Sequence, residues 1–210
     1  MILDGENMIK TTQFLLEELK EYKNPKTKIQ RLVSKGELYP IIQGLYETNK
    51  NVNPFYLAEV IYSPSYISFE TALSFYELIP ERVYQIISAT FNKRRRKEYN
   101  TSFGTYTYQD IPKAVYPYGI RLISVEKGYT YKIACKEKAF LDKLYASVTI
   151  ANAKDMRDYI FDDLRINPFV LDSFDKEFIY SIYSLYNSRN IELFVNMLKR
   201  GKLYDKWSFL

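Results

Sequence analysis

The sequence predicts an α+β protein in two parts. Three observations predict it. Residues 24–48, NPKTKIQRLVSKGELYPIIQGLYET, spell a capped basic helix, a glycine stop and a small hairpin. The polar stretch NKNVNP at 49–54 follows and reads as a linker. Beyond it come strands of alternating Tyr, Ile and Val, and from Lys136 onward the periodicity turns helical. The expected arrangement is an N-terminal winged helix-turn-helix over residues 1–50. A mixed domain over 55–210 follows, with a mainly antiparallel sheet and C-terminal helices.

The elements follow in order. Thr11 or Thr12 caps a helix over Gln13–Tyr22, with Phe14, Leu15, Leu19 and Tyr22 on one stripe. In the next helix, Asn24 is the cap and Pro25 takes the first position, where a missing N–H costs nothing. Gly36 supplies the left-handed stop. Leu38–Ile42 and Leu45–Thr48 form the hairpin, turning at Gln43-Gly44. Past the linker, Phe55–Ile61 and Ile67–Tyr76 read as helices, the second capped by Ser68. Arg82–Thr90, Thr105–Tyr108, Ile120–Val125 and Tyr129–Ala134 read as strands, the last two joined by a Glu126-Lys127-Gly128 turn. Helices follow at Glu137–Ala146, Ala153–Leu164, Asp175–Tyr186 and Ile191–Lys199.

Composition removes several function classes. There is no histidine, which excludes imidazole bases and His-ligated metals. Cys135 is the single cysteine, so no intramolecular disulfide or thiolate cluster forms. It reads as a small residue ending an apolar strand. The 7 glycines show neither Walker nor Rossmann spacing, so no nucleotide cofactor is expected, and no metal. MILDGENMIK has no basic region leading into an apolar one, and no apolar run is long enough to span a bilayer. The expectation is a cytoplasmic protein with no membrane partner. The 21 tyrosines alternate as in strands (Tyr106, Tyr108; Tyr129, Tyr131) and read as sheet and core residues rather than stacking platforms.

The charge is focused. Between Lys20 and Lys35 stand six Lys or Arg against one acid, Glu21, an excess equal to the formal +5 of the whole chain. Lys28, Arg31 and Lys35 share a helix face at i, i+3 and i+7, opposite Ile29, Leu32 and Val33. Such a helix can pack on its domain and still reach a phosphate backbone, where displaced counterions make affinity salt-sensitive. The plain alternative is a solvated basic face. Candidate DNA contacts are Lys26, Lys28, Arg31 and Lys35 to the backbone, with Thr27, Gln30 and Ser34 to bases or sugars and Gln43 at the hairpin tip. A second basic run, Lys93-Arg94-Arg95-Arg96-Lys97, reads as either a phosphate patch or a solvated loop. Asp155, Asp158, Asp162 and Asp163 alternate with Lys154, Arg157 and Arg165, as on an exposed helix face, and no converging carboxylates mark a nuclease.

Four segments in order resemble the AbiEi-like antitoxins, the regulator half of bacterial type IV toxin–antitoxin and phage abortive-infection loci. They are KIQRLVSKGELYPIIQGLYET (Lys28–Thr48), SPSYISFETALSFYELIPERVYQIISAT (Ser63–Thr90), GTYTYQDI (Gly104–Ile111) and IACKEKAFLDKLY (Ile133–Tyr145). The resemblance implies a winged helix that binds operator DNA of its own operon as a repressor, with Pro25–Lys35 as the reading helix and Leu38–Thr48 as the wing. It also implies a second domain, from Phe55 onward, that counteracts a nucleotidyltransferase-like toxin, direct contact between the two being left open. The family's basic wing tip is here Pro40-Ile41-Ile42-Gln43, which shifts backbone contacts to the helix. No enzymatic activity is expected. The competing reading is a protein-interaction module whose second domain binds a partner without sequence-specific DNA binding.

Overall fold

A computed structural model describes residues 9–126, 129–201 and 203. The Lys127-Gly128 part of the expected turn and the first eight residues lie outside the described residues. The N-terminal unit contains β1 (Ile9–Thr11), α1 (Thr12–Glu18), α2 (Pro25–Ser34), β2 (Tyr39–Ile42) and β3 (Leu45–Glu47). Its three strands form an antiparallel sheet in the order β1-β3-β2. Thr11 caps α1, accepting from Phe14 N at 3.1 Å, and the helix ends earlier than the apolar stripe suggests. Leu15 and Leu19 meet Ile29, Leu32 and Leu38 in a small core of their own.

The larger unit opens with a short 3-10 turn, Pro54–Tyr56, and α3 (Leu57–Ile61). Then come β4 (Tyr66–Ile67), α4 (Phe69–Phe75), β5 (Ile86–Thr90), β6 (Lys97–Thr101), β7 (Gly104–Asp110), β8 (Ile120–Glu126) and β9 (Tyr129–Ala134). The helices α5 (Lys136–Ala146), α6 (Ala153–Asp158), α7 (Pro168–Asp172), α8 (Lys176–Ile182) and α9 (Arg189–Lys199) close the fold. The six-stranded sheet runs β6-β7-β5-β4-β9-β8.

Several expectations change. The six-stranded sheet is mainly antiparallel, as expected, through β4–β5, β6–β7 and β8–β9, but it also takes two parallel pairings, β5–β7 and β4–β9. The expected helix from Ile67 begins instead as strand β4, and Ser68 does not cap α4 with its side chain. Its hydroxyl donates 2.6 Å to Asp142 Oδ2. Strand β6 and helix α7 were not anticipated. KEYNT carries no apolar alternation, so only its pairing with β7 makes it a strand.

Tyrosines fill the sheet faces as the alternation implies: Tyr106 and Tyr108 are fully buried, with hydroxyls on Pro54 O (3.0 Å) and Ala58 O (2.6 Å). Between sheet and helices lies a buried ion pair. Lys138 Nζ donates 2.5 Å to Asp142 Oδ1 and 2.7 Å to the Tyr66 hydroxyl, while the Tyr186 hydroxyl donates 2.7 Å to the same carboxylate oxygen. All four side chains are essentially without solvent contact. Buried charge is tolerated only when paired and hydrogen-bonded, and here every lone pair of Asp142 is directed at a donor.

The two units are joined by more than the linker. Ile41 and Val52 belong to the large core. The hairpin strand β2 lies against β6, with Ser102 Oγ donating 3.0 Å to Pro40 O and the Tyr39 and Phe103 rings meeting edge-on at 6.4 Å. No helix among the described residues is long and apolar enough to cross a membrane.

Candidate nucleic-acid interface

The site is built on α2. Asn24 Oδ1 accepts from Thr27 N at 3.2 Å, and Pro25 follows as the first helical residue. The C-terminus closes as a Schellman motif: Gly36, at φ +70°, donates its amide to Val33 O at 3.0 Å, and Glu37 N reaches Leu32 O at 2.9 Å. Both ends are thus fixed by local chemistry, and the burial of Ile29 and Leu32 fixes the rotation of the helix.

That rotation divides the polar residues. Thr27, Lys28, Arg31 and Lys35 line an open cleft of about 660 Å³ together with Tyr22, Lys23, Asn24 and Leu32. Lys26, Gln30 and Ser34 lie along the next ridge, all exposed, and Ser34 Oγ donates to Arg31 O at 3.0 Å, so its hydroxyl is turned back on the helix. Gln43 is exposed at the hairpin turn, apart from the cleft. Among the described residues, Lys26, Lys28, Arg31 and Lys35 have no acidic partner within ion-pair distance. By contrast Lys10 and Lys20 of the same unit pair with Glu18 and Glu17. Unpaired cations on a fixed frame leave positive potential for an external anion.

Sequence reasoning overlooked Tyr22 and Lys23. Tyr22 reads as part of the α1 apolar stripe. In the structure it lies beyond the end of α1, 38% exposed, with Lys28 Nζ 5.1 Å from its ring centre. The signal was available in the composition: an aromatic flanked by Lys20, Lys23 and Lys28 on a connection between helices.

The second basic run divides as well. Asp110 Oδ2 accepts from Lys93 N and Arg94 N, each at 2.7 Å, which holds Arg94 at a left-handed φ of +65°. Lys93 Nζ donates to Ser63 O at 3.0 Å and stands over the Tyr62 ring, and Lys97 opens β6, half-buried. Arg94, Arg95 and Arg96 remain exposed, without an ion-pair partner among the described residues.

Cys135 lines a smaller cleft with Gly119, Arg121, Glu137 and Asp175, and burial pushes its thiol up to about 11, so it is protonated at neutral pH and a poor nucleophile. Glu137 Oε1 accepts Asp175 N at 3.0 Å, securing the approach to α8. Asp155 belongs to the capping of α6, accepting from Asn152 Nδ2 at 2.9 Å. No protein-family model matches the chain, and no curated protein matches it at a significant level.

Proposed function

We propose that this chain is a DNA-binding autorepressor and antitoxin of the AbiEi-like kind, acting without catalysis against a nucleotidyltransferase-like toxin. In this reading the N-terminal unit serves as a winged helix-turn-helix, α2 is the reading helix and the β2–β3 hairpin is the wing. The observation that carries it is the row of unpaired cations on a helix whose two ends and rotation are fixed. A rigid helix can hold several cations at the spacing of a phosphate backbone, and the counterions they displace drive association. The four ordered segments of family resemblance support the antitoxin role and name the class of partner.

Lys28, Arg31 and Lys35 grip the backbone from the cleft side, and Lys26 and Gln30 face the same duplex from the neighbouring ridge. The hairpin, held against β6, sets the angle of α2 relative to the larger unit. A mobility-shift titration with the chain's own promoter tests the reading. A sequence-selective shift that weakens steeply with salt is expected. Folded protein that gives no selective shift at low salt would sink it. Co-expression with the neighbouring gene product tests the antitoxin half, with growth rescue as the readout.

A further inference from the structure

Building on the DNA-binding reading, we infer that the cleft beside α2 seats a single backbone phosphodiester, with Tyr22 as the positioning residue that aims Lys28 into it. A duplex presents recessed base edges and protruding phosphates. A concave site lined by cations accepts the protruding group, whereas a convex helix ridge suits the groove.

The cleft has the required chemistry. Lys23, Lys28, Arg31 and Lys35 converge on it from the helix connection and from two turns of α2, and Leu32 forms an apolar part of its wall. The amide of Thr27, a first-turn residue that lines the cleft, is already taken by Asn24 Oδ1, and the charges that face the cleft are those of side chains. Tyr22 is outside the small core of α1 and α2, yet its ring stands 5.1 Å from Lys28 Nζ. A lysine held against an aromatic face before binding loses less freedom when the anion arrives. Lys28 itself is half-buried, while Lys23 and Arg31 are exposed. The cleft therefore combines one cation held against a ring with others that are more exposed.

The test measures binding of the promoter duplex across a salt series for the full chain and four variants. Tyr22→Leu should weaken binding about two- to fivefold, the size of an exposed cation–π contact. It should also flatten the salt slope by up to about one, leaving preference among duplex sequences unchanged because a phosphate carries no sequence. Tyr22→Phe, which keeps the ring, should restore both values. Lys23→Gln, on an exposed connection, should flatten the slope independently of Tyr22. Wild-type affinity and slope in both Tyr22→Leu and Lys23→Gln, while Arg31→Ala/Lys35→Ala loses binding, would overturn the phosphate seat alone. Wild-type binding in Arg31→Ala/Lys35→Ala as well would overturn the DNA-binding reading beneath it. A Tyr22→Phe defect equal to that of Tyr22→Leu would overturn the positioning role of the ring.

Discussion

The Tyr129 hydroxyl donates 2.8 Å to Glu47 Oε1, tying β9 of the large sheet to β3 of the small one. The same oxygen accepts from Thr48 N at 2.7 Å and Asn49 N at 2.9 Å, so a fully buried carboxylate also shapes the first residues after β3. Hydrogen bonds to a charged acceptor contribute about 1.5–3 kcal/mol each. Tyr129→Phe, which leaves Glu47 its backbone donors, should lower stability by about 1.5 kcal/mol in urea unfolding. Glu47→Ala should cost more, about 2–3 kcal/mol, and speed proteolysis within residues 49–54. Equal proteolysis rates would show that the carboxylate does not restrain the junction.

The Lys138–Asp142 pair makes a sharper prediction. Asp142→Ala strands a buried ammonium and removes the acceptor of Tyr66, Ser68 and Tyr186. A loss of about 3–5 kcal/mol is expected. Lys138→Met/Asp142→Leu removes both charges and should recover a substantial part of that loss, because no isolated charge remains. A double variant no better than Asp142→Ala in thermal melting would contradict this account.

Alkaline pH should unfold the protein through its tyrosines. Burial raises Tyr66, Tyr106, Tyr108 and Tyr186 above the ordinary value of 10.0. The folded state therefore holds these protons above pH 10 while the unfolded chain releases them. Stability is intact below 10 and falls as pH rises beyond it, by roughly 1.4 kcal/mol per pH unit for each such group. Lys138, lowered by burial, acts in the opposite direction up to its ordinary 10.5, and one lysine does not offset four tyrosines. Urea midpoints should drop steeply above pH 10, with the far-UV circular dichroism signal lost over the same range.

The two ends of α2 give a local prediction. Asn24→Ala should cost about 1 kcal/mol by freeing the Thr27 amide. Gly36→Ala should cost about 1–2 kcal/mol through its positive φ alone, since the added carbon would lie 3.7 Å from the Tyr39 hydroxyl, an ordinary contact. Both variants should weaken duplex binding without altering the charge of the site, a separation that circular dichroism and the mobility shift together can read.

These cases also mark what was legible in the sequence. The limits of α2 were, because a cap, an N1 proline and a stop glycine act within a few residues. The hairpin and the β8–β9 pair were, because alternation and turn residues are local. The Lys138–Asp142 pair was not: at i, i+4 it has the same spacing as an ordinary exposed helix pair, and only Tyr66 and Tyr186 from distant segments bury it. Strand β4 was not, since two residues carry no period. Phe69, fully buried at φ +52°, shows tertiary packing overriding local preference where α4 begins. Within the candidate site, the cations were visible as a face. Their partition between cleft and ridge required the rotation set by Ile29 and Leu32.

The seating of β2 against β6 has a consequence for how the chain can be divided. Each is the outermost strand of its sheet, and an uncovered strand edge is a template for pairing with other molecules. Here the two edges meet beside the β6–β7 turn, with Pro40, which has no amide proton, placed at the contact. Cutting the chain within residues 49–54 would uncover both edges at once. The separate halves should be more prone to self-association than the whole, so solubility on expression depends on keeping the two units in one molecule.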